Sequence, residues 1–140
     1  MALDLSSLAN ALSSLENAVQ VASADRMVKH NEETQKVIKA GVIQNFEFTY
    51  ELCWKFMQRW MRENRTAEEA DYPRTRKELF RMAAREGLIG DPLPWFEYSD
   101  VRNLVAHTYN QENAEKVFQT AIRFRKDAEY LLRQLEERND

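Results

Sequence analysis

Proline and glycine are scarce in this 140-residue chain, three of each, which is too few turn formers for a protein of many strands. Three unclustered glycines also exclude a phosphate-cradling loop or a dinucleotide fingerprint, since both need several at fixed spacing. A single cysteine, Cys53, excludes an internal disulfide and any site of paired thiolates. With only His30 and His107 beside it, a protein-built metal site is not expected, and no pattern calls for a cofactor. An excess of positive charge is missing too. Twenty Lys and Arg stand against 23 Asp and Glu, a net charge of −3, so contact with RNA would have to be local. The start, Met1-Ala2-Leu3-Asp4-Leu5, lacks the basic and apolar regions of a secretion signal. No run reaches the roughly 18 apolar residues of a membrane span, so a soluble cytoplasmic protein without membrane contact is expected.

What remains is 44% hydrophobic and 31% charged, apolar enough to fold, at a length that suits one domain over residues 1–140. The apolar residues recur by threes and fours. Leu5, Leu8, Leu12, Leu15, Val19 and Ala22 share one stripe of a helix over residues 4–23. A second helix, 32–64, carries Val42, Phe46, Tyr50, Cys53, Met57, Trp60 and Met61 inward. Phe48, Leu52 and Phe56 point elsewhere on it, a second apolar face that either a partner chain or another segment of this chain must cover. Pro73 and Gly87 bracket a third helix over 73–86. Within it Arg74, Arg76, Lys77, Arg81 and Arg85 outweigh Glu78 and Glu86, a local +3 that is either a solvated face or a wall for phosphates. Pro94 can open a fourth helix with Trp95, Tyr98, Val101, Leu104 and Val105 inward. Val117, Ala121, Phe124, Ala128, Leu131 and Leu135 mark a last helix over 113–137. The fold class is therefore all-α, long helices joined by short connections in an up-and-down antiparallel bundle.

Chemistry-bearing residues cluster once, in Asp100-Val101-Arg102-Asn103-Leu104-Val105-Ala106-His107-Thr108-Tyr109-Asn110. A planar guanidinium suits a phosphate and an imidazole can move a proton near neutral pH, so together they fit metal-free cleavage of RNA. In that reading the ribose 2′-hydroxyl attacks phosphorus, His107 moves a proton, Arg102 stabilises the phosphorane and Asn103 orients the imidazole. At about 100° per residue, Asn103 and His107 share a face, but Arg102 and His107 diverge by about 140°. To meet on one phosphate, the helix must end near Ala106, or two copies of the chain must combine their side chains. A helix-capping role for His107 is the alternative. Glu47 and Glu51, one turn apart, are expected to pair with Lys55 or with a partner's cation rather than to hold a metal. Cys53 reads as packing, and His30 as a solvated loop residue.

The stretch Gly41-Val42-Ile43-Gln44-Asn45-Phe46-Glu47-Phe48-Thr49-Tyr50-Glu51-Leu52-Cys53-Trp54-Lys55, followed by Arg85-Glu86-Gly87-Leu88-Ile89 and Arg102-Asn103-Leu104-Val105-Ala106-His107-Thr108-Tyr109, resembles the nucleotidyltransferase substrate-binding protein family. That family belongs to the HEPN superfamily, close to the HepT-like toxins, and the resemblance spans nearly the whole chain. It implies a four- or five-helix bundle forming a homodimer, with a minimal nucleotidyltransferase as partner in a hetero-oligomer. Two roles follow from it. In one, the bundle is a ribonuclease toxin with Arg102, Asn103 and His107 as the cleavage motif, silenced when the nucleotidyltransferase transfers AMP to Tyr109. Arg74, Arg76, Lys77 and Arg81 would then be the candidate RNA-binding residues. In the other, the bundle has no chemistry of its own and presents a substrate to the nucleotidyltransferase.

Overall fold

Leu8, Leu12, Leu15 and Val19 are buried along the first helix, α1 (Ser6–Val21), in the computed structural model of the protein, which describes residues 2–64 and 75–139. A single turn, α2 (Ala24–Met27), buries Met27 in the connection to the 33-residue α3 (Glu32–Asn64). Among the described residues three helices follow: α4 (Arg76–Arg85), α5 (Leu93–Leu104) and, after a 3-10 turn over Val105–His107, α6 (Gln111–Glu137). The described residues contain no strand. None of their helices is long and apolar enough to cross a membrane.

Side-chain ties fix the helix directions. Asn139 bonds both the amide and the carbonyl of Leu3, and Arg125 meets Glu16 at 3.0 Å, so α1 and α6 run antiparallel. Lys39 reaches Glu115 at 2.8 Å near the start of α3 and α6, and Arg138 lies over Trp60 near their ends, so these two helices run in the same direction. On α5, Tyr98 donates to Asp127 and Glu97 accepts from Arg123 at 2.9 Å, and the short connection from Leu104 to Gln111 folds α6 back along α5 as an antiparallel hairpin. Arg76, at the start of α4, lies beside Tyr50 and Trp54 in the middle of α3. The end of α4 shares Arg138 with Trp60, so α4 runs along α3 in the same direction.

The core is built on aromatic edges. Phe124 of α6 meets Phe46, Trp95 and Tyr98 in edge-to-face contacts at 5.1, 5.7 and 5.0 Å between ring centres. Such pairs add about 0.5–1.5 kcal/mol each beyond the burial of area. Cys53 sits inside this core, where burial pushes its thiol well above the usual range and leaves it a packing group. The second apolar face of α3 is smaller than its sequence implies. Phe56 is only 1% exposed and joins the core under the guanidinium of Arg59, leaving Phe48, 64% exposed, and a half-buried Leu52.

Both ends of α4 carry their signals. The Thr75 hydroxyl accepts from the Glu78 amide at 3.1 Å as the N-cap. At the other end Leu88 donates to Ala83 and Gly87 to Ala84, a Schellman closure that needs a left-handed residue, and Gly87 supplies it at φ +80°. Pro73 and Arg74, read as the helix start, lie outside the described residues. A Cβ on Gly87 would stand 2.8 Å from Arg138 Nη2, and Arg138 donates from Nη1 to the Glu86 carbonyl. Gly87→Ala therefore combines a strained φ with the loss of that tie. It is expected to destabilise the fold by about 1–2 kcal/mol, a fall of roughly 3–8 °C in a thermal melt.

Candidate active site

The polar cluster lies where α5 hands over to α6. The α-helix stops at Leu104, continues as the 3-10 turn, and is closed when the Thr108 hydroxyl donates to the Val105 carbonyl at 3.0 Å. Asn110 then caps α6, its side chain accepting from the amides of Glu112 and Asn113 at 2.8 and 3.3 Å. Asn113 in turn donates its side-chain amide to the His107 carbonyl at 3.2 Å. The backbone of His107 is thus pinned while its imidazole faces solvent. The capping role belongs to Asn110. Tyr109 is 87% exposed, its ring edge-on to that of His107 with centres 6.2 Å apart.

Arg102 faces the other way, against α3. Its Nε donates to Glu51 Oε1 at 3.2 Å, and its Nη2 lies 3.3 Å from Glu47 Oε2. Within the chain Glu47 and Glu51 therefore pair with Arg102, because α5 crosses α3 at that height, and not with Lys55. The other oxygen of Glu51 accepts from Trp54 Nε1 at 3.0 Å. Arg76 stacks over the Trp54 ring at 3.9 Å and donates to the Tyr50 hydroxyl at 3.0 Å. Burial pushes the Tyr50 hydroxyl up against the opposing bonds from Ser99 and Arg76, so it stays neutral and can accept. One line of polar and stacking contacts thus runs Glu47, Arg102, Glu51, Trp54, Arg76, Tyr50.

The early end of the α-helix does not turn His107 toward Arg102. Two α steps of about 100° and three 3-10 steps of about 120° leave the pair roughly 160° apart. Among the described residues no hydrogen bond or ion pair joins them, and none joins the exposed Asn103 to His107. Of the four candidate RNA-binding residues, Arg74 lies outside the described residues and Arg76 is half-buried in the line above. Lys77 and Arg81 are exposed one turn apart, 5.7 and 5.3 Å from the Phe96 ring. A groove of about 860 Å3 opens beside the turn between α3 and α6, with Lys36, Ile43, Glu47, Val105, Tyr109 and Glu115 on its walls. Arg102 and His107 are not among its lining residues.

Sequence reasoning missed Glu47, Glu51 and Trp54 as the surroundings of Arg102. Their spacing of three and four on one helix face is visible in the sequence, but what they face depends on how α5 crosses α3.

A family profile described as "nucleotidyltransferase substrate binding protein like" matches residues 3–137. A Haemophilus influenzae protein named probable ribonuclease HepT is 37% identical over 138 residues, 98% of this chain and 94% of its own. A solved Haemophilus influenzae structure, described as the fold of a substrate binding domain of a nucleotidyltransferase, superposes with a TM-score of 0.88 at 36% identity, covering 95% of this chain and 99% of that one. A crystal structure from Thermus thermophilus reaches a TM-score of 0.68 at 28% identity, over 89% of this chain and 98% of that one.

Proposed function

Since the chain belongs to the nucleotidyltransferase substrate-binding protein family, we propose that it is the partner subunit of a minimal nucleotidyltransferase and is itself a metal-independent ribonuclease of the HEPN kind. The observation that carries this reading is the solvent-facing imidazole of His107 on a backbone whose carbonyl accepts from Asn110 and Asn113, five residues after a half-buried arginine held on the opposite side of the same segment. The relative named a ribonuclease, similar over almost the whole chain, supports it. In the reaction, His107 takes the proton of the ribose 2′-hydroxyl, whose oxygen attacks the adjacent phosphorus. Arg102 stabilises the charge on the phosphorane, and the P–O5′ bond breaks as the 5′-oxygen takes a proton from water, giving a cyclic 2′,3′-phosphate and a free 5′-hydroxyl. Because Arg102 and His107 point apart in one chain, the site is composite. A homodimer packed over Phe48 and Leu52 places Arg102 of one copy beside His107 of the other.

In this proposal Tyr109 is the point of control. Among the described residues it is the most exposed of the large hydrophobic side chains, within ring-contact distance of His107. An AMP on its hydroxyl would put bulk and negative charge where the RNA phosphate must sit. Incubation with the partner nucleotidyltransferase and ATP is expected to add adenylyl mass to the peptide holding Tyr109, to leave Tyr109→Phe unchanged in mass, and to stop RNA cleavage in proportion. Unmodified, active protein after full incubation would overturn the control mechanism. The second reading, a subunit that only presents a substrate, is favoured by the two carboxylates already engaging Arg102 and by the description of the Haemophilus structure. It predicts a stable complex with the nucleotidyltransferase and no RNA cleavage in chelator by the purified bundle.

A further inference from the structure

Arg102 is one guanidinium between two carboxylates, so the group offered to a phosphate starts in a locally anionic setting. The two carboxylates are not equivalent. Glu51 has both oxygens committed, one to Arg102 Nε and one to the indole N–H of Trp54, and the indole is itself pressed under Arg76. Glu47 is held through one oxygen, by Arg102 Nη2, and lines the groove that Tyr109 shares. A carboxylate held at both oxygens fixes the direction of its cation, because moving it breaks two charge-assisted bonds at once. A carboxylate held at one oxygen beside open space can be displaced, since a part-exposed ion pair is weak.

Resting on the ribonuclease reading, we infer that these carboxylates have opposite roles toward RNA. Glu51, braced by Trp54, is a positioning residue that holds Arg102 by Nε with its outer edge toward the substrate. Glu47 is a competitor, occupying the Nη2 donor that the scissile phosphate takes over, and it moves into the groove when RNA binds. Arg76 serves this arrangement from the back of the indole, so its task is to clamp Trp54 rather than to touch phosphate.

The test compares the full-length wild type with Glu47→Gln, Glu51→Gln and Trp54→Phe, each checked by thermal melting. The Arg102 Nε–H signal in nitrogen-edited spectra reads positioning without any need for cleavage. Its solvent exchange is expected to be slow in wild type and in Glu47→Gln, at least about tenfold faster in Glu51→Gln, and intermediate in Trp54→Phe. Binding of a 2′-O-methyl oligoribonucleotide, which lacks the attacking hydroxyl, reads competition by fluorescence anisotropy. Glu47→Gln is expected to tighten it about two- to fivefold. In cleavage assays Glu47→Gln should lower KM, and Glu51→Gln should lower kcat about ten- to a hundredfold with KM little changed.

Unchanged Nε–H exchange in Glu51→Gln overturns the positioning role. Unchanged or weaker oligonucleotide binding in Glu47→Gln, including no binding by either protein, overturns the competitor role. Both substitutions shifting the same kinetic constant in the same direction also sinks the inference. If exchange and binding behave as expected but no variant cleaves RNA, the ribonuclease reading falls while the assigned roles toward Arg102 stand.

Discussion

His107→Ala is expected to reduce RNA cleavage in chelator by about 10²- to 10⁴-fold, the range that positioned proton transfer contributes. The same substitution should move the melting temperature by no more than about 1–2 °C, because exposed side chains outside caps and cores contribute little to stability. This separation is possible because the fold does not use the imidazole. The backbone of His107 is held through its carbonyl by Asn113, and the cap of α6 comes from Asn110, so alanine keeps both. The ring itself meets the edge of Tyr109, which is exposed in turn. A structural role for His107 predicts the reverse pattern, a fall of several degrees with any loss of activity following the loss of folded protein. Single-turnover cleavage of a short RNA in EDTA, beside a melt of the same sample, decides between them. Equal cleavage by wild type and variant would end the assignment of His107.

How far the chain can be read from its residues differs between fold and site. The stripes of α1 and α6 are plain, because Leu8 with Leu12 and Leu15, and Val117 with Ala121, Phe124 and Ala128, obey helical spacing and are all buried. Gly87 and Pro94 mark helix limits for stereochemical reasons that hold in any context. Phe56 reads as part of an outer face and is buried, since helical spacing gives direction around the axis but not which neighbour arrives there. The same limit applies to Arg102. Its pairing with Glu47 and Glu51, about fifty residues earlier in the chain, depends on the height at which α5 crosses α3, and no local pattern encodes that height. Arg76 looks like a surface cation in a basic run and is instead stacked on Trp54, a contact invisible without the placement of α4. The cluster of residues 100–110 stands out because it is chemically unusual. Its geometry does not, because a tightening from α to 3-10 after Leu104 has no strong sequence signal.

Mixing two inactive variants is expected to restore activity, and the reason lies in the roughly 160° between Arg102 and His107 around the α5 and 3-10 axis. That divergence sets the two groups of one chain on opposite sides of the axis, whereas in the proposed two-fold dimer the arginine of each copy meets the histidine of the other. Take Arg102→Gln and His107→Ala, each purified as an inactive folded protein. When they are unfolded together and refolded, half of the dimers are mixed. In a mixed dimer one of the two sites receives both defects and the other receives none. Total activity should therefore rise from the background of the single variants to about a quarter of wild type, the statistical yield of a symmetric dimer with crossed sites. A site complete within one chain predicts no rescue at any mixing ratio, since every chain present lacks one of the two groups. Refolding each variant alone supplies the background, and a tag on one variant allows the mixed dimer to be isolated, in which activity should reach about half of wild type. The experiment also bears on Phe48, the exposed ring left on the outer face of α3. If the dimer packs there, Phe48→Glu should abolish rescue and cleavage together and yield a monomer by light scattering. A Phe48→Glu protein that remains dimeric and active would put the shared surface elsewhere on the bundle.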